Sequence, residues 1–341
     1  MQPARVLVTG ANGYIAAWLC RGHLEQGDYV IGTVRSVGKG AYLKKLFASY
    51  GNKFEVVVVE DITKPGAFDE AVKGVDAVQH TASPVRLDAR TANELVDPAV
   101  RGTLGVLESA KNFGKSIRRV VILSSGAAVV QPAKDHTVFD ESSWNDAAVE
   151  ELKQKGDAAS PLTLYRASKV LAERSAWEFM ESNKGLVSWD IVAVNPPFVR
   201  LPPIHEVHSL LELNASMEMM YKMLNDTQSD AEALSRFSGW YVDVRDIAAA
   251  LSQFARAPDV GGQRFIVAAG PLFWQDIVDA ANETDPTIPV KGVPGATKGK
   301  PPGYTFSTSR AARVLGMQSY RSLETTVKDS LDYFKTFPAS T

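Results

Sequence analysis

The sequence predicts an α/β fold: a doubly wound parallel sheet with a smaller, partly interleaved C-terminal lobe. Three observations lead there. Short β-branched and apolar runs alternate with amphipathic stretches through the first half of the 341-residue chain, and strands alternating with helices make βαβ units. The first run, Val6-Leu7-Val8, passes straight into a glycine turn. The alternation fails after Asn195-Pro196-Pro197, which no helix or central strand interior tolerates.

Taken in order, residues 14–26 read as a helix and 29–33 as the second strand. Residues 40–49 follow as a helix with Leu43, Leu46 and Phe47 on one face. Val56-Val57-Val58-Val59 is a continuous β-branched run, as expected of a strand covered on both sides. Residues 76–80 and 119–123 are two further strands, and 91–112 between them read as a long helix. Residues 131–161 are polar and irregular, 163–183 a strong helix and 189–194 another buried strand. Then come a proline-rich loop, a methionine-rich helix over 210–225, a helix over 247–256 and a strand over 264–267. A Gly/Pro-rich stretch over 291–304 and a helix over 323–334 close the chain.

Composition bounds the function. Hydrophobic residues make up 45% and charged residues 22%, as in a soluble globular protein. The formal net charge is -2 and no Lys/Arg-rich run occurs, which argues against nucleic-acid or anionic-membrane partners. No apolar run approaches the ~20 residues of a membrane helix. The first strand begins by Arg5, leaving no room for a signal peptide. The one cysteine, Cys20, cannot form an internal disulfide. The expectation is a cytoplasmic protein, monomer or homodimer, acting on a small molecule.

Gly10-x-x-Gly13-x-x-Ala16 follows a strand and opens a helix. In a Rossmann-type unit the first glycine permits the tight turn and the second lets backbone approach a pyrophosphate. The small third residue lets helix and strand pack closely. The helix N-terminus offers free N–H groups to the phosphates. An NAD enzyme places Asp or Glu after the second strand, whereas this chain has Arg35 and then Lys39. A guanidinium grips a 2′-phosphate bidentately, so the cofactor expected is NADPH. Asp61 and Ile62 follow the third strand, placed to meet the adenine. The expected organisation is an NADP-binding domain over 1–196, with 241–268 returning to it. Residues 197–240 and 269–341 then form a substrate lobe.

Tyr165 and Lys169 stand at i and i+4 of a predicted helix, so they share a face. A phenol with its ordinary pKa of about 10 is a poor acid–base group at neutral pH, and a nearby ammonium favours the phenolate. The same lysine can hold the nicotinamide ribose. Ser125 ends the strand of Val120 to Leu123, at the carboxyl edge where such sheets bind ligands. Together the three deliver a proton to a carbonyl oxygen while the cofactor delivers hydride.

With these residues in this order the chain resembles an extended short-chain dehydrogenase/reductase of the dihydroflavonol reductase-like branch, which includes fungal methylglyoxal, isovaleraldehyde and carbonyl reductases. Six segments carry the likeness: residues 8–16, His80-Thr81-Ala82-Ser83-Pro84, Leu123-Ser124-Ser125, Tyr165-Arg166-Ala167-Ser168-Lys169, Ala193-Val194-Asn195-Pro196 and Tyr241-Val242-Asp243-Val244-Arg245-Asp246. The resemblance implies that Ser125, Tyr165 and Lys169 are catalytic. It implies that Gly10, Asn12, Gly13, Tyr14, Ile15, Arg35, Lys39, Asp61, Ile62, Ala82, Tyr165, Lys169, Pro196 and Val199 line the cofactor. It implies a carbonyl pocket walled by Val85, Gly126, Val130, Leu162 and Phe198, set back and without fixed charge. Arg101-Gly102 stands where relatives carry Asn-Gly, and the segment after Pro196 lacks their Gly-Pro turn.

The reading is NADPH-dependent reduction of aldehydes and ketones. Its rivals are a nucleotide-sugar epimerase or dehydratase of the same superfamily and a non-catalytic NADP(H) sensor. Only Lys222 and Arg236 are basic between 204 and 239, too few for a nucleotide diphosphate. His205-Glu206-Val207-His208 lacks the His-Glu-x-x-His metal spacing, and no metal is expected. Met217, Met219, Met220 and Met223 read as core or as an adaptable substrate wall, and Asp243 and Asp246, flanking Arg245, as a turn and cap for the next helix.

Overall fold

The computed structural model describes residues 2–84, 89–200, 202–225, 230–317 and 319–337. The chain begins β1 (Arg5–Thr9), α1 (Tyr14–Glu25), β2 (Tyr29–Val34), α2 (Val37–Leu46), β3 (Phe54–Val58) and β4 (Ala77–His80). It continues α3 (Val96–Phe113), β5 (Arg119–Leu123), β6 (Thr137–Phe139), α4 (Asp146–Lys155), α5 (Pro161–Ser182), β7 (Asp190–Val194) and β8 (Phe198–Arg200). Next are α6 (Ala215–Asn225), α7 (Ala231–Leu234), β9 (Phe237–Asp243), α8 (Val244–Phe254), β10 (Gln263–Phe265) and β11 (Gly270–Phe273). The last elements are α9 (Trp274–Thr284), β12 (Tyr304–Phe306), α10 (Ser309–Leu315) and α11 (Leu323–Phe334).

Among the described residues, seven strands form one parallel sheet in the order β10-β7-β5-β4-β1-β2-β3. The strand order reverses between β1 and β4, which opens a crevice beyond their carboxyl ends. β4 is buried at every position and β1 at all but its first, as central parallel strands require. One face is covered by Leu19 and Leu24 of α1 with Leu251 and Phe254 of α8. The other is covered by Val106 and Leu107 of α3 with Ala176 and Phe179 of α5. The remainder of the chain contributes a three-stranded sheet, β11-β9-β8, and a two-stranded parallel pair, β12-β6. A separate core packs Met217 and Met220 of α6 against Leu272, Ile277, Val327 and Leu331. No helix of the described residues is long and apolar enough to cross a membrane.

Three expectations change. The valine run does not lie in a strand covered on both sides: β3 is an edge strand, and Val58 is 40% exposed. The stretch read as irregular holds β6 and α4, the latter capped by Asn145, whose Oδ1 accepts the Ala148 N–H at 3.2 Å. Where a proline-rich loop and a methionine-rich helix alone are expected after Pro197, β8 and β9 also form, and β9 is buried from Gly239 to Asp243 rather than alternating.

Candidate active site

The site is built where β1 and β4 part. Gly10 has a φ of 66°, a left-handed conformation that glycine adopts without steric cost. A Cβ added there would lie 3.1 Å from the Ala82 Cα, so the two loops close on each other. The Gly13 N–H donates to the Gly10 carbonyl at 2.8 Å. The Gly10 N–H donates to the Thr33 Oγ1 at 3.1 Å, fastening the turn to the end of β2. The Ala82 N–H donates to the Thr9 Oγ1 at 3.0 Å. Gly13 caps α1 with no side-chain hydrogen bond, and no acidic residue occupies the first turn. The N–H groups at that end, flanked by half-buried Asn12 and Ile15, are left without a side-chain cap, as an anion-binding helix end is.

Arg35 and Lys39 are exposed just past β2, and neither meets a carboxylate among the described residues. This donor set, with the uncapped helix and the glycine cradle, fits an anionic dinucleotide carrying a 2′-phosphate.

Several expected cofactor contacts sit differently. The Tyr14 ring turns into the C-terminal lobe, its centroid 5.6 Å from that of His205 and its hydroxyl buried. Only its backbone belongs to the turn. Asp61 Oδ1 accepts the Thr63 N–H at 2.9 Å and the Thr63 hydroxyl at 2.7 Å. Those bonds hold its carboxyl below the usual range. Ile62 lies over Gly102 of α3, where an added Cβ would meet its Cδ1 at 2.7 Å. Arg101 donates from its Nη2 to the Thr63 carbonyl at 3.0 Å, so it braces that turn from an exposed position. Val199 is buried in register with Val242. Pro196 is buried too, its carbonyl accepting the Gly126 N–H at 2.7 Å.

The three residues expected to deliver the proton come from α5 and the turn that follows β5. Ser160 caps α5 by accepting the Thr163 N–H at 3.1 Å, and Pro161 occupies its first turn. Tyr165 Oη donates to Ser125 Oγ at 3.4 Å. Ser125 Oγ also accepts the Ala127 N–H at 3.1 Å, which fixes its rotamer. Lys169 Nζ lies 5.7 Å from the Tyr165 ring centroid and donates to Ser83 Oγ at 3.0 Å.

The electrostatics differ from the sequence expectation. Burial pushes the Tyr165 phenol up, opposed by its bond to Ser125, and Lys169 gives no lowering there. Burial brings Lys169 itself down to about 8. His80, behind them, falls to about 4 through burial and the neighbouring Lys169.

Beneath the set lies a network that sequence reasoning passed over. Glu173, four residues beyond Lys169 on the same face of α5, is 1% exposed. Its Oε2 accepts the Ser124 hydroxyl at 2.5 Å and Asn195 Nδ2 at 2.8 Å. Its Oε1 accepts Arg264 Nε at 2.6 Å. Asn195 Nδ2 also reaches the Ser125 carbonyl at 3.2 Å. Arg264 donates onward to the carbonyls of Glu141 and Ser143 and stacks 3.7 Å from the Trp144 ring centroid. One carboxylate therefore joins α5 to the ends of β5 and β7. The i, i+4, i+8 spacing of Tyr165, Lys169 and Glu173 was a visible signal; Arg264, from β10, left none.

Of the expected pocket wall, Val85 lies outside the described residues. Leu162 is 47% exposed at the start of α5. Val130 is half-buried against the cluster of Phe139, Trp240 and Phe306. Phe198 is half-buried against Gly239, where an added Cβ would lie 3.3 Å from its ring. Gly126 is buried, and its Cα faces Phe306 and Pro196 rather than open space: an added Cβ would meet each at 3.3 Å. Phe306, and Tyr304 with its ring 5.3 Å away, therefore join this wall.

Comparisons with known proteins agree with this arrangement. The model of the NAD dependent epimerase/dehydratase family matches residues 6–270. A ketoreductase of Aspergillus niger, azaE, is 38% identical over 339 residues, covering 96% of each chain. The NADPH-dependent methylglyoxal reductase GRE2 of Saccharomyces cerevisiae is 35% identical, covering 95% of this chain and 96% of its own. The crystal structure of yeast methylglyoxal/isovaleraldehyde reductase Gre2 complexed with NADPH superposes with a TM-score of 0.87 at 32% identity. That superposition covers 97% of this chain and 98% of the other. A glycine turn set for a dinucleotide, a Tyr–Ser pair at the sheet's switch point and this likeness along the whole chain have one conclusion: the chain belongs to the NAD dependent epimerase/dehydratase family of extended short-chain dehydrogenases/reductases, in its dihydroflavonol reductase-like branch.

Proposed function

We propose that this enzyme, an NADPH-dependent reductase of aldehydes and ketones, acts on bulky aryl ketones and keto esters in preference to small aldehydes. The observation that carries the catalytic reading is the 3.4 Å hydrogen bond between Tyr165 and Ser125 beside the dinucleotide turn. Ser125 holds the carbonyl oxygen of the substrate. Tyr165, protonated through burial, gives its proton to that oxygen as negative charge develops on it. Lys169 supplies positive charge beside the phenol and a donor for the nicotinamide ribose. When bound, NADPH supplies the hydride. Glu173, through Asn195, fixes where the Ser125 backbone sits.

Preference for large substrates rests on the aromatic and aliphatic wall of Val130, Phe198, Tyr304 and Phe306. Apolar burial contributes about 25 cal/mol per Å², part of which is offset by ordering the ligand. A phenyl ketone is expected to show a kcat/KM on the order of tenfold above that of methylglyoxal. NADPH absorbance with the two substrates checks it; a wild type that prefers methylglyoxal sinks the aryl reading. The coenzyme reading is tested separately. Arg35→Ala is expected to weaken NADPH roughly tenfold or more, as losing a charge-assisted bond does, and NADH far less. Fluorescence titration with both coenzymes measures this. Equal losses would mean that Arg35 does not read the 2′-phosphate. The single buried cysteine supports a reducing, cytosolic setting.

A further inference from the structure

The wall read from sequence carries no charge, but the hollow beside it does. A pocket of about 260 Å³ is lined by Val130, Phe139, Arg166 and Tyr304, among others. Two of its lining residues are tied through the chain to the proton-delivery set. Arg166 follows Tyr165 on α5, so their side chains leave the helix roughly 100° apart. The Val130 N–H donates to the carbonyl of Gly126, next to Ser125, at 2.9 Å. Tyr304 joins the pocket to the wall: a Cβ on Gly239 would lie 3.5 Å from its hydroxyl and 3.3 Å from the Phe198 ring.

Two polar side chains of this hollow, Arg166 and Tyr304, are unmatched among the described residues. Arg166 is half-buried and makes no hydrogen bond or ion pair among the described residues. Glu151 feels its charge, but that carboxylate is already bonded to Lys155 at 3.0 Å and Thr163 at 3.1 Å. Burial pushes the Tyr304 phenol up to about 12, so it stays neutral and able to donate. Its hydroxyl donates to no group among the described residues. A fixed cation and a phenol donor, set beside Gln131 and the apolar Val130 and Phe139, match a carboxylate at the end of a short carbon chain.

We propose that this pocket is a carboxylate subsite, so that the enzyme takes keto acids whose carbonyl lies against Ser125 and Tyr165 while the far carboxylate is held by Arg166 and Tyr304. The proposal rests on the carbonyl reductase reading and adds to it a substrate class. Arg166 here recognises the distant end of the substrate and has no part in the hydride or proton transfer.

The test compares levulinate, 5-oxohexanoate and 6-oxoheptanoate, each with its methyl ester, under NADPH. Acid and ester share carbonyl and chain and differ in charge. At one chain length at least, the acid is expected to exceed its ester in kcat/KM on the order of tenfold. Raising the salt should shrink that ratio. Arg166→Met should bring it close to one, and Arg166→Lys should restore part of it. Because the ratio is taken within one protein, a general loss of fold or cofactor cancels. The wild-type ratio and its salt dependence stand whether or not the variants fold. A wild-type ratio near one at all three lengths, with a neutral aldehyde still oxidising NADPH, overturns the subsite alone. A ratio unchanged in Arg166→Met also overturns it. Failure of every carbonyl, neutral or anionic, to oxidise NADPH overturns the reductase reading beneath it.

Discussion

Replacing Tyr165 with Phe is expected to lower kcat by roughly 10²–10⁴-fold, the range for a lost general acid, with NADPH affinity close to wild type. The ring stays and only the hydroxyl leaves. Ser125, the other group proposed to hold the oxygen, keeps its bond from the Ala127 N–H. Lys169, the proposed ribose donor, keeps its bond to Ser83. Steady-state turnover and a fluorescence titration of NADPH on the same preparation separate chemistry from binding. Turnover within threefold of wild type would remove Tyr165 from the mechanism.

The second large effect is on stability. Glu173→Ala is expected to cost about 3–5 kcal/mol, the range for breaking a buried pair by removing one partner. Arg264, 7% exposed, would lose its counter-charge. The Ser124 hydroxyl would lose its acceptor, and Asn195 Nδ2 one of its two. Glu173→Gln keeps the volume and one acceptor, so it should cost less while still lowering kcat more than it raises KM. Urea unfolding monitored by tryptophan fluorescence measures the first, and steady-state kinetics the second. A midpoint unshifted in the Ala variant would show that the backbone carbonyls and Trp144 satisfy Arg264 without the carboxylate.

The sheet and the glycine turn were legible because local signals determine them. β-branched runs, a glycine at positive φ and an i, i+4 Tyr–Lys pair are written in contiguous residues. The placement of Val56 to Val59 was misread because a valine run does not reveal whether its strand is central or at an edge; neighbours in space decide that. α4 was missed because its apolar positions are few: of ten residues only Ala148 and Val149 are buried. Its Asn145 cap was the available clue. Tyr14 and Ile62 lie in the right segments, but their side chains turn toward α6 and α3, a choice made by tertiary packing. Phe306 and Tyr304 could not have been assigned to the wall at all. They reach it through β12, which pairs with β6 from the far end of the chain.

That pairing also bears on how the enzyme is made. The bond between His136 and Thr305, beside the β6–β12 pair, spans 169 residues, whereas the dinucleotide turn is closed once Ala82 donates to Thr9. Loop-closure entropy must be overcome before so distant a contact stabilises anything. A chain emerging from the ribosome can therefore complete its cofactor turn well before residues 304–306 exist to complete the substrate wall. The interval leaves Phe139 and Trp240 without their aromatic partners, Tyr304 and Phe306, the kind of exposed apolar surface that chaperones hold.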